Sequence, residues 1–472
     1  MTTPLSTGMN APGILSARLD PADYAGNFSD SCPPLTAMQA VIEAERCYYC
    51  FDAPCTRACP ADIDVPSFIH RIAQDNARGA AEVILQANVL GGMCSRVCPT
   101  ETLCEQVCVR NVQDGNPVKI GLLQRHATDR YLANPGKPLF VRAPDSGKTI
   151  AVVGAGPAGL TVAHRLAVCG HHVVVFDARP KPGGLNEYGL AAYKTTEDFA
   201  QKEIAWLLSV GGIALRLGQQ LGRDFTLDAL REEYDAVFLG MGLAGVNALG
   251  IDEPPLAGVR EAVDFIAELR QAEDLSQVAV GRQVVVIGGG MTAVDAAVQA
   301  KKLGAREVTM VYRRGEAAMK ASAHEQLWAK QNGVVIRHWA APQALQGADG
   351  KVTGVTFQVM QPQDGALTAS GETFTLPADM VLKAIGQCYE PQPAGAALVL
   401  KGGRIAVDEQ GRTSLPGVWA GGDCCADGLD LTVDAVRQGK LAAKSIELAL
   451  KVTGLVAAND TSSLTRQERS HG

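Results

Sequence analysis

Eight cysteines fall within 62 residues, as Cys47-x2-Cys50-x4-Cys55-x3-Cys59-Pro60 and Cys94-x3-Cys98-Pro99-x4-Cys104-x3-Cys108. Thiolates this close in sequence can converge on one small inorganic centre. The two Cys-Pro steps suit iron–sulfur runs, in which the last cysteine of a run serves a neighbouring cluster. Zinc is the competing reading, because Cys-x2-Cys pairs also build tetrahedral four-thiolate sites and one could be drawn in each half. The rest of the chain weighs against zinc. Two glycine-rich nucleotide loops follow, and a redox-silent metal would serve no purpose beside them. The scattered Cys169, Cys388, Cys424 and Cys425 read as ordinary buried thiols, and Cys32, on the arm, has no evident partner.

The first loop, Gly154-Ala155-Gly156-Pro157-Ala158-Gly159, follows the apolar run TIAVV and precedes an apolar helix; HVVVFD then ends at Asp177, 23 residues past the first glycine. Strand, glycine turn, helix and acid in this order form a dinucleotide fingerprint. Gly154 permits the tight turn, Gly156 lets the backbone approach a pyrophosphate, and Gly159 lets helix and strand close-pack. Pro157 and Ala158 open the helix whose N-terminus favours the anion, and Asp177 is placed for the adenosine ribose. Pro182-Gly183-Gly184-Leu185 and Ala420-Gly421-Gly422-Asp423 resemble flavin-enclosing segments of two-dinucleotide-domain flavoproteins. That resemblance selects FAD, with Asp423 at the ribityl-phosphate region and Thr432 opening a helix aimed at the ring.

The second loop, Gly288-Gly289-Gly290-Met291-Thr292-Ala293, sits in the same setting, but its second strand leads to Arg313-Arg314 instead of an acid. Two guanidiniums suit a 2′-phosphate through bidentate charged contacts, which points to NADPH. The alternative leaves one arginine stacked on adenine and the other in water, with NADH as the substrate. Asp295, on the following helix, reads as a cap or a core-facing acid.

The elements that must position these groups divide 472 residues into an α/β protein. An N-terminal α-helical iron–sulfur domain (1–145) precedes two Rossmann-like units, the second inserted in the first: 146–275 and 389–455 for FAD, 276–388 for NAD(P)H, then a mobile tail, 456–472. Residues 1–34 read as an extended arm. Helices are expected at roughly 66–77 and 79–88, stopped by Gly91-Gly92, and from Ile120 to Leu132; a hairpin is expected within 351–384. The helical domain has too little core of its own and leans on whatever its cysteines bind. Net charge −7 argues against nucleic acid or anionic membrane as a partner. No apolar run reaches the roughly 18 residues of a membrane span. The first residues lack a basic region ahead of an apolar core, and an odd 13 cysteines do not suit a secreted disulfide framework, so the chain reads as cytoplasmic.

AERCYYCFDAPCTRACP (44–60), GGMCSRVCPTETLCEQVCVR (91–110), IGLLQR (120–125), GAGPAG and GGGMTAVD together resemble the flavoprotein subunit of two-subunit dihydropyrimidine dehydrogenases over roughly 35–450. Broader relatives are glutamate synthase small subunits and ferredoxin:NADP reductase flavosubunits. The resemblance implies two 4Fe–4S clusters with interleaved ligands: Cys47, Cys50, Cys55 and Cys108 for one, and Cys59, Cys98, Cys104 and Gln124 for the other, leaving Cys94 unused. Glutamate synthase relatives carry a Glu in the segment matching Gln124. The resemblance also implies an FMN- and iron–sulfur-containing partner that reduces the pyrimidine, in a heterotetramer, with this chain supplying electrons from NAD(P)H.

Overall fold

The computed structural model of the protein describes residues 7–467 apart from 364, 392, 393 and 396. Its helical domain holds short helices separated by the cysteine loops. Thr36 caps Ala37–Glu45 through a capping box with Gln39. Asp64 caps Val65–Ala73 by accepting from Ser67 N, and Asn76 caps Ala77–Ala87 in the same way. Gly91-Gly92, expected as a stop, instead begin helix Gly91–Val97, and Ile120–Ala133 completes the bundle. Ile63, Phe68, Ile69, Ile72, Ile84, Leu85 and Leu123 are all fully buried in one cluster with the cysteine loops around it. The domain therefore has more core than its sequence suggests, because small Ala40, Ala44, Ala80 and Ala81 let the helices approach closely.

Two five-stranded parallel sheets follow. The first runs Val418–Ala420, Ala236–Leu239, Thr149–Val153, His172–Asp177, Ile213–Leu217. Its outer strand comes from the far end of the sequence, so the second unit is an insertion. The second sheet runs Val259–Glu261, Met380–Lys383, Gln283–Ile287, Glu307–Val311, Val335–Arg337. Val259–Glu261 joins it well ahead of the boundary expected at 276, because a three-residue strand carries no period of its own. The expected hairpin is a three-stranded antiparallel sheet, Ala340–Ala348, Lys351–Gln363 and Ala366–Pro377.

The arm is a strap rather than a free extension. Helix Pro21–Asn27 presents Tyr24, and Phe28 follows; both enter the core of the second unit with Phe265, Val280 and Met310. The Arg18 guanidinium is fully buried and donates to the carbonyls of Val280, Gly8, Ala11 and Gly13. The last helix runs Thr432–Gln467, past the expected start of the tail at 456, and residues 468–472 lie outside the described residues. No described helix is long and apolar enough to cross a membrane.

Candidate active site

On the flavin side the glycines divide by what surrounds them. A Cβ on Gly154, which has φ 105°, would lie 2.2 Å from Gly240 O, and one on Gly159 would lie 1.9 Å from Gly154 O. These two serve packing. Gly156 is open: a Cβ there would meet only Gly184 Cα, at 3.9 Å, and its N–H has no acceptor among the described residues. Helix Pro157–Val168 starts at that point with Pro157 in its first turn, so its N-terminal partial charge faces the open space. Gly184 (φ 55°) and Gly422 (φ 80°) adopt backbone conformations that favour glycine and close the cradle; Leu185 stays exposed beside it.

Asp177 braces this loop as well as facing it. Its Oδ2 accepts from Ala155 N at 2.7 Å and its Oδ1 from Arg179 N at 2.8 Å. Burial pushes the carboxyl up while those N–H groups pull it down. Asp423 has no hydrogen-bond donor among the described residues; burial, then Asp430, push it up to about 6. Such a carboxyl has lone pairs to offer a hydroxylated ligand. Thr432 opens the last helix and donates to Asn186 Oδ1 at 2.7 Å.

The second loop repeats the pattern. A Cβ on Gly288 would lie 2.2 Å from Ala384 O, whereas Gly290 has nothing within 4 Å. Met291 and Thr292 begin helix Met291–Lys302. Arg313 and Arg314 follow the strand Glu307–Val311, both exposed, and neither side chain has an ion pair or hydrogen bond among the described residues. Two guanidiniums without a partner among the described residues suit a phosphorylated nucleotide, although neither lines the cavity that joins the two loops.

One cavity of about 1180 Å³ joins these parts. Gly156, Gly184, Gly422 and Asp423 line it from the flavin side, Met291 and Thr292 from the nucleotide side, and Ser95, Cys98 and Thr100 from the helical domain. Two features of its surroundings were not legible beforehand. Lys194 Nζ pairs with Asp295 Oδ1 at 2.8 Å and Glu325 Oε1 at 2.7 Å; burial disfavours the ammonium, but the two carboxylates outweigh it and raise its pKa. Glu203, fully buried on helix Phe199–Leu208, accepts from Gly92 N at 2.7 Å and from Met93 N, and so joins the flavin unit to the cysteine domain.

The thiols form two groups. Cys47, Cys50, Cys55 and Cys108 line one small cavity with Pro54 and Ile120. Burial pushes Cys55 up to about 12, so these side chains suit a cationic centre that takes the place of their protons. Cys98 lies within electrostatic reach of Cys94, Cys104 and Cys59, and its backbone N–H donates to Cys94 O at 2.9 Å. Cys94, expected to serve no iron, is buried near this second group, its sulfur accepting from Asn88 Nδ2 at 3.1 Å. Gln124 is buried, donates its amide nitrogen to Gly91 O at 2.7 Å, and keeps its carboxamide oxygen free of donors among the described residues. Among the described residues no three His, Cys, Asp or Glu side chains are gathered tightly enough for a single metal ion. A cubane, whose thiolates bind separate irons, needs a wider spread.

Residues 148–439 match the pyridine nucleotide-disulphide oxidoreductase family. The chain belongs to that family. Residues 24–135 match a second family, dihydropyrimidine dehydrogenase domain II, 4Fe-4S cluster, which sets zinc aside. The NAD-dependent dihydropyrimidine dehydrogenase subunit PreT of Escherichia coli (strain K12) is 34% identical over 421 residues, covering 89% of this chain and 97% of that protein. The glutamate synthase [NADPH] small chain of the same organism is 32% identical, covering 90% and 94%. The NADP(+)-dependent formate dehydrogenase subunit beta of Moorella thermoacetica is 34% identical, but the chain spans only 60% of its length. Mycobacterium tuberculosis FprA, solved in complex with NADPH, shares the fold at a TM-score of 0.55 and 20% identity, over 67% of this chain and 86% of that one. The chain is thus an oxidoreductase, with a 4Fe–4S domain ahead of a reductase fold, and its homologues include named subunits of larger enzymes.

Proposed function

We propose that this chain is the NAD(P)H-oxidising subunit of a cytoplasmic dihydropyrimidine dehydrogenase. In this reading, electrons from NAD(P)H pass by way of FAD and two 4Fe–4S clusters to an FMN-containing partner in a heterotetramer, which reduces uracil and thymine to 5,6-dihydropyrimidines. The observation that carries it is the single cavity shared by the nucleotide loop, the flavin cradle and Cys98. In this reading the donor, the flavin and the first thiol of the relay meet in one space. The near full-length match to PreT supports the choice of end reaction.

A bound flavin takes electrons in pairs and releases them singly. The chain's own residues hold and orient. Gly156 and the helix start at Pro157 receive a pyrophosphate, Asp177 a ribose, and Asp423 and Thr432 the ribityl and ring end. Gly290, Met291 and Thr292 receive the nicotinamide nucleotide, with Arg313 and Arg314 on its 2′-phosphate. Cys47, Cys50, Cys55 and Cys108 hold one cluster; Cys59, Cys98, Cys104 and Gln124 hold the other. Exposed Tyr48 and Phe51 flank Cys50, and that face offers the way out to a partner.

The test mixes the loaded chain with an FMN-barrel partner and NAD(P)H. Uracil-dependent oxidation of the nicotinamide is expected; its absence in a fully loaded complex refutes the reading. The glutamate synthase small chain is the second reading, favoured by its 94% coverage, and glutamine- and 2-oxoglutarate-dependent turnover with a large amidotransferase subunit would establish it instead.

A further inference from the structure

The nicotinamide side of the cavity carries an unbalanced charge. Asp295 and Glu325 both pair with Lys194, two carboxylates against one ammonium, and all three line the cavity with Met291 and Thr292. Both Asp295 oxygens are engaged: Oδ1 faces Lys194 Nζ, and Oδ2 accepts from Ala191 N at 3.3 Å, contacts that favour the carboxylate against the upward push of burial and of Glu325. Glu325 keeps Oε2 buried and without a partner among the described residues. Glu261 and Asp264 also line the cavity; Glu261 Oε1 pairs at 2.6 Å with Lys383, which also holds Glu253, and Asp264 has no ion pair among the described residues. The phosphate-binding charge, Arg313 and Arg314, is kept elsewhere, beyond the strand Glu307–Val311.

The arrangement is also held in place from three domains. Lys194 sits in the flavin unit, where Ala191 N and Ala192 N donate to Asp295 and Gln299 of helix Met291–Lys302. Glu325 lies on helix Ala323–Gln331, whose cap Ser322 donates to Glu101 Oε1 of the cysteine domain at 2.6 Å. A charge fixed from three sides cannot swing away or be hydrated as a surface carboxylate would be, and its field in a cavity is correspondingly less screened.

We propose that the Lys194–Asp295–Glu325 network favours the oxidised, cationic nicotinamide over the reduced one, and so assists hydride departure from NAD(P)H. The inference rests on the reading of this cavity as the place where NAD(P)H meets the flavin. With FAD held in its cradle, that step would break the C4–H bond of the dihydronicotinamide, deliver both electrons and the proton to the isoalloxazine, which gains one negative charge, and leave the nicotinamide ring with one positive charge. A neutral ring becomes a cation beside a network of net charge −1. Lys194, Asp295 and Glu325 act here as positioning and field-setting residues, without taking the hydride or a proton.

The test uses charge changes of opposite sign in the FAD-loaded full chain. Dissociation constants are measured for NADP+ and for tetrahydro-NADPH, a reduced analogue with no hydride to give, and their ratio is compared across Glu325→Gln, Asp295→Asn and Lys194→Met. Glu325→Gln should weaken NADP+ relative to the analogue by about fivefold, the order expected of one unit charge in a partly screened cavity. Lys194→Met should move the ratio the opposite way, which damage to the fold would not do. Asp295→Asn should follow Glu325→Gln. A ratio that stays constant, or that moves the same way in Glu325→Gln and Lys194→Met, overturns the inference. Failure of the unaltered chain to bind either nucleotide would instead overturn the reading of the cavity.

Discussion

Glu203→Gln tests how the cysteine domain is joined to the flavin unit. The carboxyl is fully buried, and its acceptors' partners are the N–H groups of Gly92 and Met93. A Cβ on Gly92 would lie 2.7 Å from Glu203 Oε1 and 2.6 Å from Phe199, so the helix start must be a bare glycine. Arg96, whose charge favours the ionised carboxyl, is already engaged by Asp129 at 2.8 Å. Burial therefore dominates and pushes Glu203 from 4.5 up to about 8, against the pull of the two N–H groups. Because the folded value lies above the unfolded one, the contribution to stability is complete below pH 4.5 and declines until about pH 8. Those roughly 3.5 pH units at about 1.4 kcal/mol each amount to a ceiling of about 5 kcal/mol. Glutamine keeps an acceptor oxygen for both N–H groups and cannot ionise. The free energy of unfolding, followed at constant cofactor loading from pH 5 to 8, should fall in the native chain relative to Glu203→Gln, by up to about 1.4 kcal/mol per pH unit. Parallel curves would mean that Glu203 titrates alike in both states, and the burial argument would be wrong.

Gly159→Ala should cost the chain its FAD and much of its stability, since the new methyl collides with Gly154 O at 1.9 Å; retention of flavin absorbance through purification would contradict this. Arg313→Ala and Arg314→Ala should each weaken NADPH by about 10- to 100-fold, the loss of a charge-assisted contact, while leaving NADH within about twofold by the same reasoning; equal losses for both nucleotides would remove the 2′-phosphate from the scheme. Gln124→Ala should lower iron content by about half, one of two clusters, and Cys94→Ser should leave it unchanged; the reverse result would make Cys94 the ligand, as its contact with Cys98 allows.

What could be read beforehand follows from the range over which each feature is encoded. The glycine loops are local: the turn at Gly154 and the close approach at Gly159 need their residue type whatever else the chain does, and both lie where the motif placed them. The helical domain's caps are equally local, Asp64 and Asn76 each meeting a backbone N–H three residues on. Lys194 and Asp295 are about a hundred residues apart, and no periodicity marks either as the other's partner; Asp295 alone reads as a plain core-facing acid. Glu203 looks like one polar position on an amphipathic helix until the glycines of another domain stop on it. Gly91-Gly92 misled for a related reason. Two glycines ordinarily end a helix, but here they are the bare surface against which Glu203 and Phe199 pack, and a new helix starts from them.

The strap at the N-terminus sets a timetable for synthesis. Tyr24 and Phe28 belong to a core completed by Leu382, some 350 residues later, and Arg18 waits for the carbonyl of Val280. At roughly 5–20 residues per second, the wait is about 20 to 70 seconds. A segment made ahead of both nucleotide units is thus among the last to be buried, while the cysteine domain and most of the flavin unit emerge between it and its destination. During that interval two aromatic side chains and an arginine built for a dry interior stand in water, available to chaperones and to other nascent copies.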